Sequence, residues 1–254
     1  MRALRKVERS GNADIETNGE AAFLRDFLKF CTSAYPRSEI VVIDGGAHVG
    51  RYLSRVCSGA QAAGVRVMVH AFEPSATTFA ELAESYGNKS NIRLNNTALS
   101  DKNGSGTIHF RSDASSFSSI YDRDLRSVGL ALNQTESIQL ARLDTYIAGS
   151  GLEHVHLLKL DVEGSEYAAV AGLGQYLDAG FIDFIQFEYG GTNLDARIPL
   201  KAFYDLFENT DFIVARVFPG GLKVRPYSPW MDNFEYANFV AVSRPIYEQL
   251  VDRR

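Results

Sequence analysis

The chain has 254 residues, 45% hydrophobic and 22% charged, the balance of a chain that folds around its own core rather than a disordered one. A formal net charge of -5 leaves no basic footprint of the kind that several phosphate contacts demand, so no nucleic-acid partner is expected. Two cysteines, Cys31 and Cys57, with no CxxC argue against a disulfide framework and a cysteine zinc site.

Residues 1 to about 18 are polar and aperiodic and are expected to form a flexible N-terminus; residues 19–254 read as one domain, since no linker interrupts them. The early basic residues are not followed by an apolar run, and nowhere do about eighteen apolar residues stand together. Neither a secretory leader nor a membrane span is expected, and the location is read as cytoplasmic. The glycosylation patterns at Asn88 and Asn133 then carry no meaning.

Phe23, Leu24, Phe27, Leu28 and Cys31 recur at helical spacing up to Pro36. Ile40 to Ile43 is a β-branched run closed by Asp44-Gly45-Gly46, the mark of a parallel strand buried on both faces. Val65 to Phe72 repeats the type, and Pro74 opens a helix that Gly87 stops. Ile92 to Leu99 is a weaker third strand. From 104 to 144 the periodicity fails. Thr107 to Phe110 and Ser137 to Leu140 look like short strands around a serine-rich stretch, and the region reads as an insertion.

Val155 to Leu160 is the fourth strand, with a helix carrying Tyr167, Val170, Leu173 and Leu177 after it. Phe181 to Phe187 is the fifth, Pro199 to Phe207 a helix, Phe212 to Val217 the sixth, and Asn238 to Val242 the last. Alternating strands and helices predict an α/β, Rossmann-like, doubly wound sheet. Seven strands are expected, mostly parallel. No helix separates the last two, so the last is expected to run antiparallel.

In such a sheet the ligand sits at the carboxyl ends of the strands. The first end, Asp44-Gly45-Gly46-Ala47-His48-Val49-Gly50, misses the GxGxxG spacing of dinucleotide sites but meets acidic-x-Gly-x-x-x-Gly through Asp44, Gly46 and Gly50. An acidic residue there is awkward for a pyrophosphate and suits a zwitterionic, cationic ligand such as S-adenosylmethionine; an ordinary strand-turn-helix connection is the plain alternative. At the second end, Glu73 follows Gly50 by about twenty residues, the offset at which a carboxylate takes ribose hydroxyls. A solvated glutamate favoured by a helix dipole is the other reading.

The fourth end reads Lys159-Leu160-Asp161-Val162-Glu163-Gly164-Ser165-Glu166, in which extended geometry puts Lys159, Asp161 and Glu163 on one side. Buried charges need partners, so these pair with each other or meet a ligand, and Asp161 is assigned to the site. Glu163 and Glu166 equally suit helix capping. The fifth end adds Glu188. Tyr227, Trp230, Phe234 and Tyr236 suit either an acceptor wall or plain packing. His154 and His156 flank the start of a strand, away from the ligand end, so no metal site is expected there.

The stretches VVIDGGAHVG, HAFEPSATTFAEL, NNTALSDKNGSG and LLKLDVEGSEYAAVAG resemble, in order and spacing, the FkbM-type methyltransferases from about Ile40 to Val242. The resemblance implies a class I methyltransferase fold, S-adenosyl-L-methionine as donor, and O-methylation of a hydroxyl on a sugar, glycan or polyketide-like small molecule. It places Asp44, Gly46, Gly50, Glu73, Thr97 and Ala98 around the cofactor, and His48, Pro74 and Asp161, at the same strand ends, complete the expected set. One departure is visible: the usual loop looks like DxGANxG, whereas here Gly45 precedes Gly46 and His48 replaces the asparagine.

Methyl transfer to an alcohol needs a base, and Asp161, Glu188 and His48 are the catalytic candidates. A divalent metal held by Asp161 and another carboxylate is a second, less favoured route. The rivals are an NAD-dependent dehydrogenase on the same fold and a non-catalytic nucleotide-binding scaffold.

Overall fold

The structure is a computed structural model that describes residues 11–110, 118–121, 123 and 132–252. Eight strands form the main sheet: β1 (Glu39–Gly45), β2 (Arg66–Phe72), β3 (Ile92–Asn95), β7 (Val155–Leu160), β8 (Ile182–Tyr189), β9 (Phe212–Phe218), β10 (Gly221–Val224) and β11 (Ala237–Ser243). Their order is β10-β9-β11-β8-β7-β1-β2-β3. The run from β3 to β8 is parallel, and β11 lies antiparallel between β8 and β9. All seven expected strands are present. The eighth, β10, turns back at Gly220 as an edge hairpin on β9, and its four residues, two half-exposed and two exposed, offer no period to read.

Along the central strands, neighbouring side chains divide between the faces. Val42, Val69, Leu157, Phe184 and Val240 join one apolar cluster, while Ile43, Leu158, Ile185 and Ala241 join the other. Both faces are therefore buried, which is why these strands read as unbroken apolar runs. The first cluster is closed by α2 (Glu20–Ala34), α3 (Arg51–Ala63) and α9 (Arg244–Asp252). On α2, Phe23, Phe27 and Phe30 set ring centroids 5.9, 5.5 and 6.1 Å from Phe184. The second cluster is closed by α5 (Leu143–Ser150), α6 (Glu166–Ala171) and α8 (Leu200–Phe207), with Phe203 stacked on Phe187 at 4.4 Å. Each such large side chain taken from water contributes about 1.5–3 kcal/mol.

Two expectations need correcting. The third strand is not continuous: it breaks at Asn96, and β4 (Ala98–Leu99) leaves the main sheet to pair with β6 (Gln134–Ala141). With β5 (Gly104–Phe110), antiparallel to β6, these form a second, three-stranded sheet in the region read as an insertion with short strands. In the N-terminal segment, expected to be flexible, residues 11–18 pack against the domain, residues 1–10 lying outside the described residues. Asp14 caps the single turn α1 (Ile15–Asn18) by accepting from the Glu16 amide at 3.1 Å, and the Gly11 amide donates to the Tyr236 carbonyl at 2.9 Å. Among the described residues no helix is long and apolar enough to cross a membrane.

Candidate active site

Two adjoining cavities open at the carboxyl ends of the parallel strands. The first is walled by Gly46, His48, Glu73, Pro74, Thr97, Ala98 and Asp161, with Phe72, Leu99, Ile108 and Ile138 as its apolar side. The second holds Glu20, Tyr52, Lys159, Asp161, Glu188 and Tyr236, and residues 13–16 reach its mouth. Gly46, His48, Asp161 and Glu163 belong to both.

The glycine loop is shaped by packing within the protein. Gly46 has φ +80°, and a Cβ there would lie 1.8 Å from the Asp161 carbonyl oxygen, so β1 and β7 can end side by side only with glycine at 46. Gly50 begins α3 and does not wall either cavity; a Cβ on it would meet the Tyr86 ring at 2.5 Å. The loop is pinned by Glu73, which accepts from the His48 amide at 3.0 Å with one carboxylate oxygen and from the Ser75 amide at 3.0 Å with the other. His48 takes φ +50°, and burial together with Arg51 holds its imidazole below the ordinary histidine range.

Asp44 is fully buried beneath this loop and walls neither cavity. Both its carboxylate oxygens lack a hydrogen-bond donor, and its nearest cation, Lys159 Nζ, stands 4.0 Å away. Lys159 Nζ bonds Asp161 at 3.0 Å, the pairing that their shared side of β7 implies. Burial works against the lysine's charge, but Asp161, Asp44, Glu20 and Glu188 outweigh it and raise its pKa. Glu163 leaves the extended line, at φ +51°, and its carboxylate takes Arg123 at 3.2 Å. Glu166 caps the loop instead, accepting from the Val162 and Gly164 amides.

Glu188 is supplied by β8, and burial, reinforced by Asp161 and Glu20, pushes its pKa well up. The Tyr236 hydroxyl donates to its Oε1. Of the four aromatic candidates only Tyr236 walls the second cavity: Tyr227 bonds Asp232, Phe234 stacks on Tyr189, and Trp230 is exposed. Sequence reasoning missed Glu20, at the start of α2, and the apolar wall from β5 and β6.

At the opposite end of the sheet, His154, His156 and Asp183 bring donor atoms within 4.8 Å of one another, a grouping the sequence reading did not expect. The Val41 amide donates to His156 Nδ1 at 3.0 Å, which leaves the proton on Nε2, and Tyr35 donates to Asp183 at 2.7 Å. These hydrogen bonds engage His156 and Asp183, whereas His154 Nε2 lies 3.1 Å from Asp183 Oδ1 without a hydrogen bond of its own among the described residues.

Burial holds Glu20, Glu73 and Glu166 up at about 7, against 4.5 for a free glutamate. Rising pH strips these protons from the unfolded chain near 4.5 and from the folded state only near 7, so stability falls across that range. His70 and His156, held down to about 4 by burial, oppose the fall below 6.5, but the three glutamates outweigh the two histidines. The melting temperature of the ligand-free protein is therefore expected to fall from about pH 5 to pH 8. A melting temperature climbing steadily to pH 8 would contradict this.

The parallel run β3-β2-β1-β7-β8, followed by an inserted antiparallel strand, with the site at its carboxyl ends, defines the class I methyltransferase fold. The family model described as the methyltransferase FkbM domain matches residues 44–214. The chain is 31% identical to the 31-O-demethyl-FK506 methyltransferase FkbM of Streptomyces tacrolimicus, over 61% of this chain and 69% of that one. It is 27% identical to the 2-O-methyltransferase NoeI of Sinorhizobium fredii (strain NBRC 101917 / NGR234), over 62% and 68%. Among solved structures, Aeropyrum pernix fibrillarin in complex with natively bound S-adenosyl-L-methionine is similar with a TM-score of 0.42 and 13% identity, covering 80% of this chain and 66% of that one. The chain belongs to the FkbM methyltransferase family, and its cofactor is S-adenosyl-L-methionine. The dehydrogenase alternative falls with that membership.

The residues present fit this cofactor: a buried carboxylate at Asp44 without a hydrogen-bond donor lies under the glycine loop, beside a cavity with one apolar side and a carboxylate at Glu73. With Asp44 and Asp161 sharing the single ammonium of Lys159, the excess of carboxyls suits a ligand with sulfonium and ammonium groups.

Proposed function

We propose that this protein methylates a hydroxyl oxygen of a sugar, glycan or polyketide-like small molecule, with Glu188 as the general base. The observation that carries the reading is a half-buried carboxyl, oriented by the Tyr236 hydroxyl, in a cavity that meets the first one at Gly46, His48 and Asp161. S-adenosyl-L-methionine, when bound, supplies a methyl group already activated on a sulfonium. What the chain adds is alignment of the acceptor and removal of its proton.

In this reading the first cavity holds the donor. Glu73 and Pro74, with Thr97 and Ala98, take its ribose side; Leu99, Ile108 and Ile138 enclose the adenine; and Asp161 and Gly46 face the sulfonium. Asp44 contributes negative charge from below. The second cavity holds the acceptor. Glu188 serves as base because burial keeps its proton affinity high, whereas Asp161 is tied to Lys159. His48 belongs to the wall between the two.

The carboxyls of Glu20, Asp161, Glu163 and Glu188 in the acceptor cavity disfavour a phosphate backbone and suit a hydroxyl-rich molecule. The names of the two relatives describe transfer to oxygen, which supports the same chemistry here. The test uses donor labelled with carbon-13 in the methyl group and a panel of free sugars, glycosides and polyhydroxylated macrolides. A methoxy carbon signal in the product is expected. Label appearing only on nitrogen or sulfur would refute the reading, and donor binding without transfer to any hydroxyl would leave the scaffold in its place.

A further inference from the structure

Glu20 enters the acceptor cavity from outside the family-matched residues 44–214, and the reaction proposed above makes no use of it. Four carboxyls surround one buried ammonium at this end of the sheet. Asp161 and Asp44, from the ends of β7 and β1, stand 3.0 and 4.0 Å from Lys159 Nζ, while among the described residues neither Glu20 nor Glu188 forms an ion pair.

The hydrogen-bond partners of these two glutamates in the protein are neutral. Gln186 Nε2 donates to Glu20 Oε1 at 3.3 Å and to Asn238 Oδ1 at 3.3 Å. Asn238 Nδ2 donates to the Tyr236 oxygen at 3.1 Å, and the Tyr236 hydroxyl donates to Glu188. The two carboxyls are thus the ends of one neutral chain built across β8 and β11. The α3 helix presents Tyr52, which donates to Gln186 Oε1 at 3.4 Å and lies 5.0 Å from Lys159 Nζ, and Arg55, which is bonded to Glu16. Arg51 and Arg123 stand at the cavity wall, Arg123 bound to Glu163 and Asp195. Carboxylates sharing a low-dielectric site without a cation of their own do not both ionise, and such a pair takes up and releases protons as a unit.

We propose that Glu20 and Glu188 hold one proton between them in the donor-free protein, and that the sulfonium charge of S-adenosyl-L-methionine expels it. Glu188 is then ionised only when the methyl donor is in place. The proposal rests on the reading of Glu188 as base. Transfer requires the sulfonium to face the acceptor across the shared wall of Gly46, His48 and Asp161, which brings a positive charge to the side where the pair sits. The step breaks one carboxyl O–H bond, its proton passes to the buffer, and nothing is oxidised or reduced. Burial, which favours the protonated form of both groups, works in the same direction.

S-adenosyl-L-homocysteine lacks the sulfonium charge, so comparing it with the donor isolates the effect. Calorimetric titrations of the full chain at neutral pH, in buffers of different ionisation enthalpy, count the protons released by each ligand. The donor is expected to release about half a proton or more beyond the homocysteine compound. The double variant Glu20→Gln with Glu188→Gln, folded by its melting curve, is expected to lose that excess. Equal counts for the two ligands in the unaltered protein would overturn the proposal, as would an undiminished excess in the double variant. Full methylation by Glu188→Gln alone would remove the base reading instead, and the proton count would still decide whether the pair exists.

Discussion

Replacing Glu188 by glutamine is expected to lower turnover by about 10²- to 10⁴-fold, a loss that persists at saturating donor. Glutamine keeps the size of the side chain and an oxygen to accept from Tyr236, but it has no useful proton affinity. The melting temperature discriminates between roles. A carboxylate kept for a structural ion pair would leave an unmatched charge when neutralised and lower the melting point. Glu188 forms no ion pair among the described residues, so its amide variant should melt close to the parent. Unchanged turnover would leave Glu188 without a catalytic role. The companion variant Asp161→Asn should show its loss in donor affinity, because Asp161 walls both cavities and is held by Lys159.

The second large effect is structural. Gly46→Ala places a methyl group 1.8 Å from the Asp161 carbonyl oxygen, at a backbone angle that costs an L-residue about 1–2 kcal/mol before any contact is counted. Pushing two strand ends apart adds about 1–3 kcal/mol, so a total of roughly 2–5 kcal/mol is expected, a large part of the stability of a chain this size. Gly149→Ala is the control: it lies in α5, and a Cβ there meets nothing within 4 Å. It should be neutral or stabilising by up to about 1 kcal/mol. Denaturant melts of both variants check the pair, and a Gly46→Ala protein as stable as the parent would show that the strand ends separate freely.

The parts of the fold legible in the sequence were those whose burial leaves a periodic trace. Strands covered on both faces wrote themselves as Ile40 to Ile43 and Val155 to Leu160, and chain order then located the ligand end. The acidic residues Glu73, Asp161 and Glu188 were found because each stands at or just beyond a strand end. Glu20 left no such trace. It opens an amphipathic helix whose apolar spacing tells which face is buried, but not that the helix start lies against Gln186 of the sheet. The β5–β6 pair was seen only in fragments, since its residues are half-exposed and its few buried ones, Ile108, Ile138 and Leu140, are isolated from the main core. The glycine at 46 was expected to admit a ligand; its first requirement is the neighbouring strand end, which only the folded register reveals.

The hydrogen-bonded chain that ends at Glu188 draws Glu20 from before the family-matched residues and Tyr236 and Asn238 from after them. The carboxylates and glycines assigned to the donor lie inside them. On the reading proposed above, exchanging the two flanks would reshape the acceptor side and, through Glu20, would also alter the proton given up when the donor binds. The interior pair Gln186 and Glu188 is where the exchanged pieces would have to be matched.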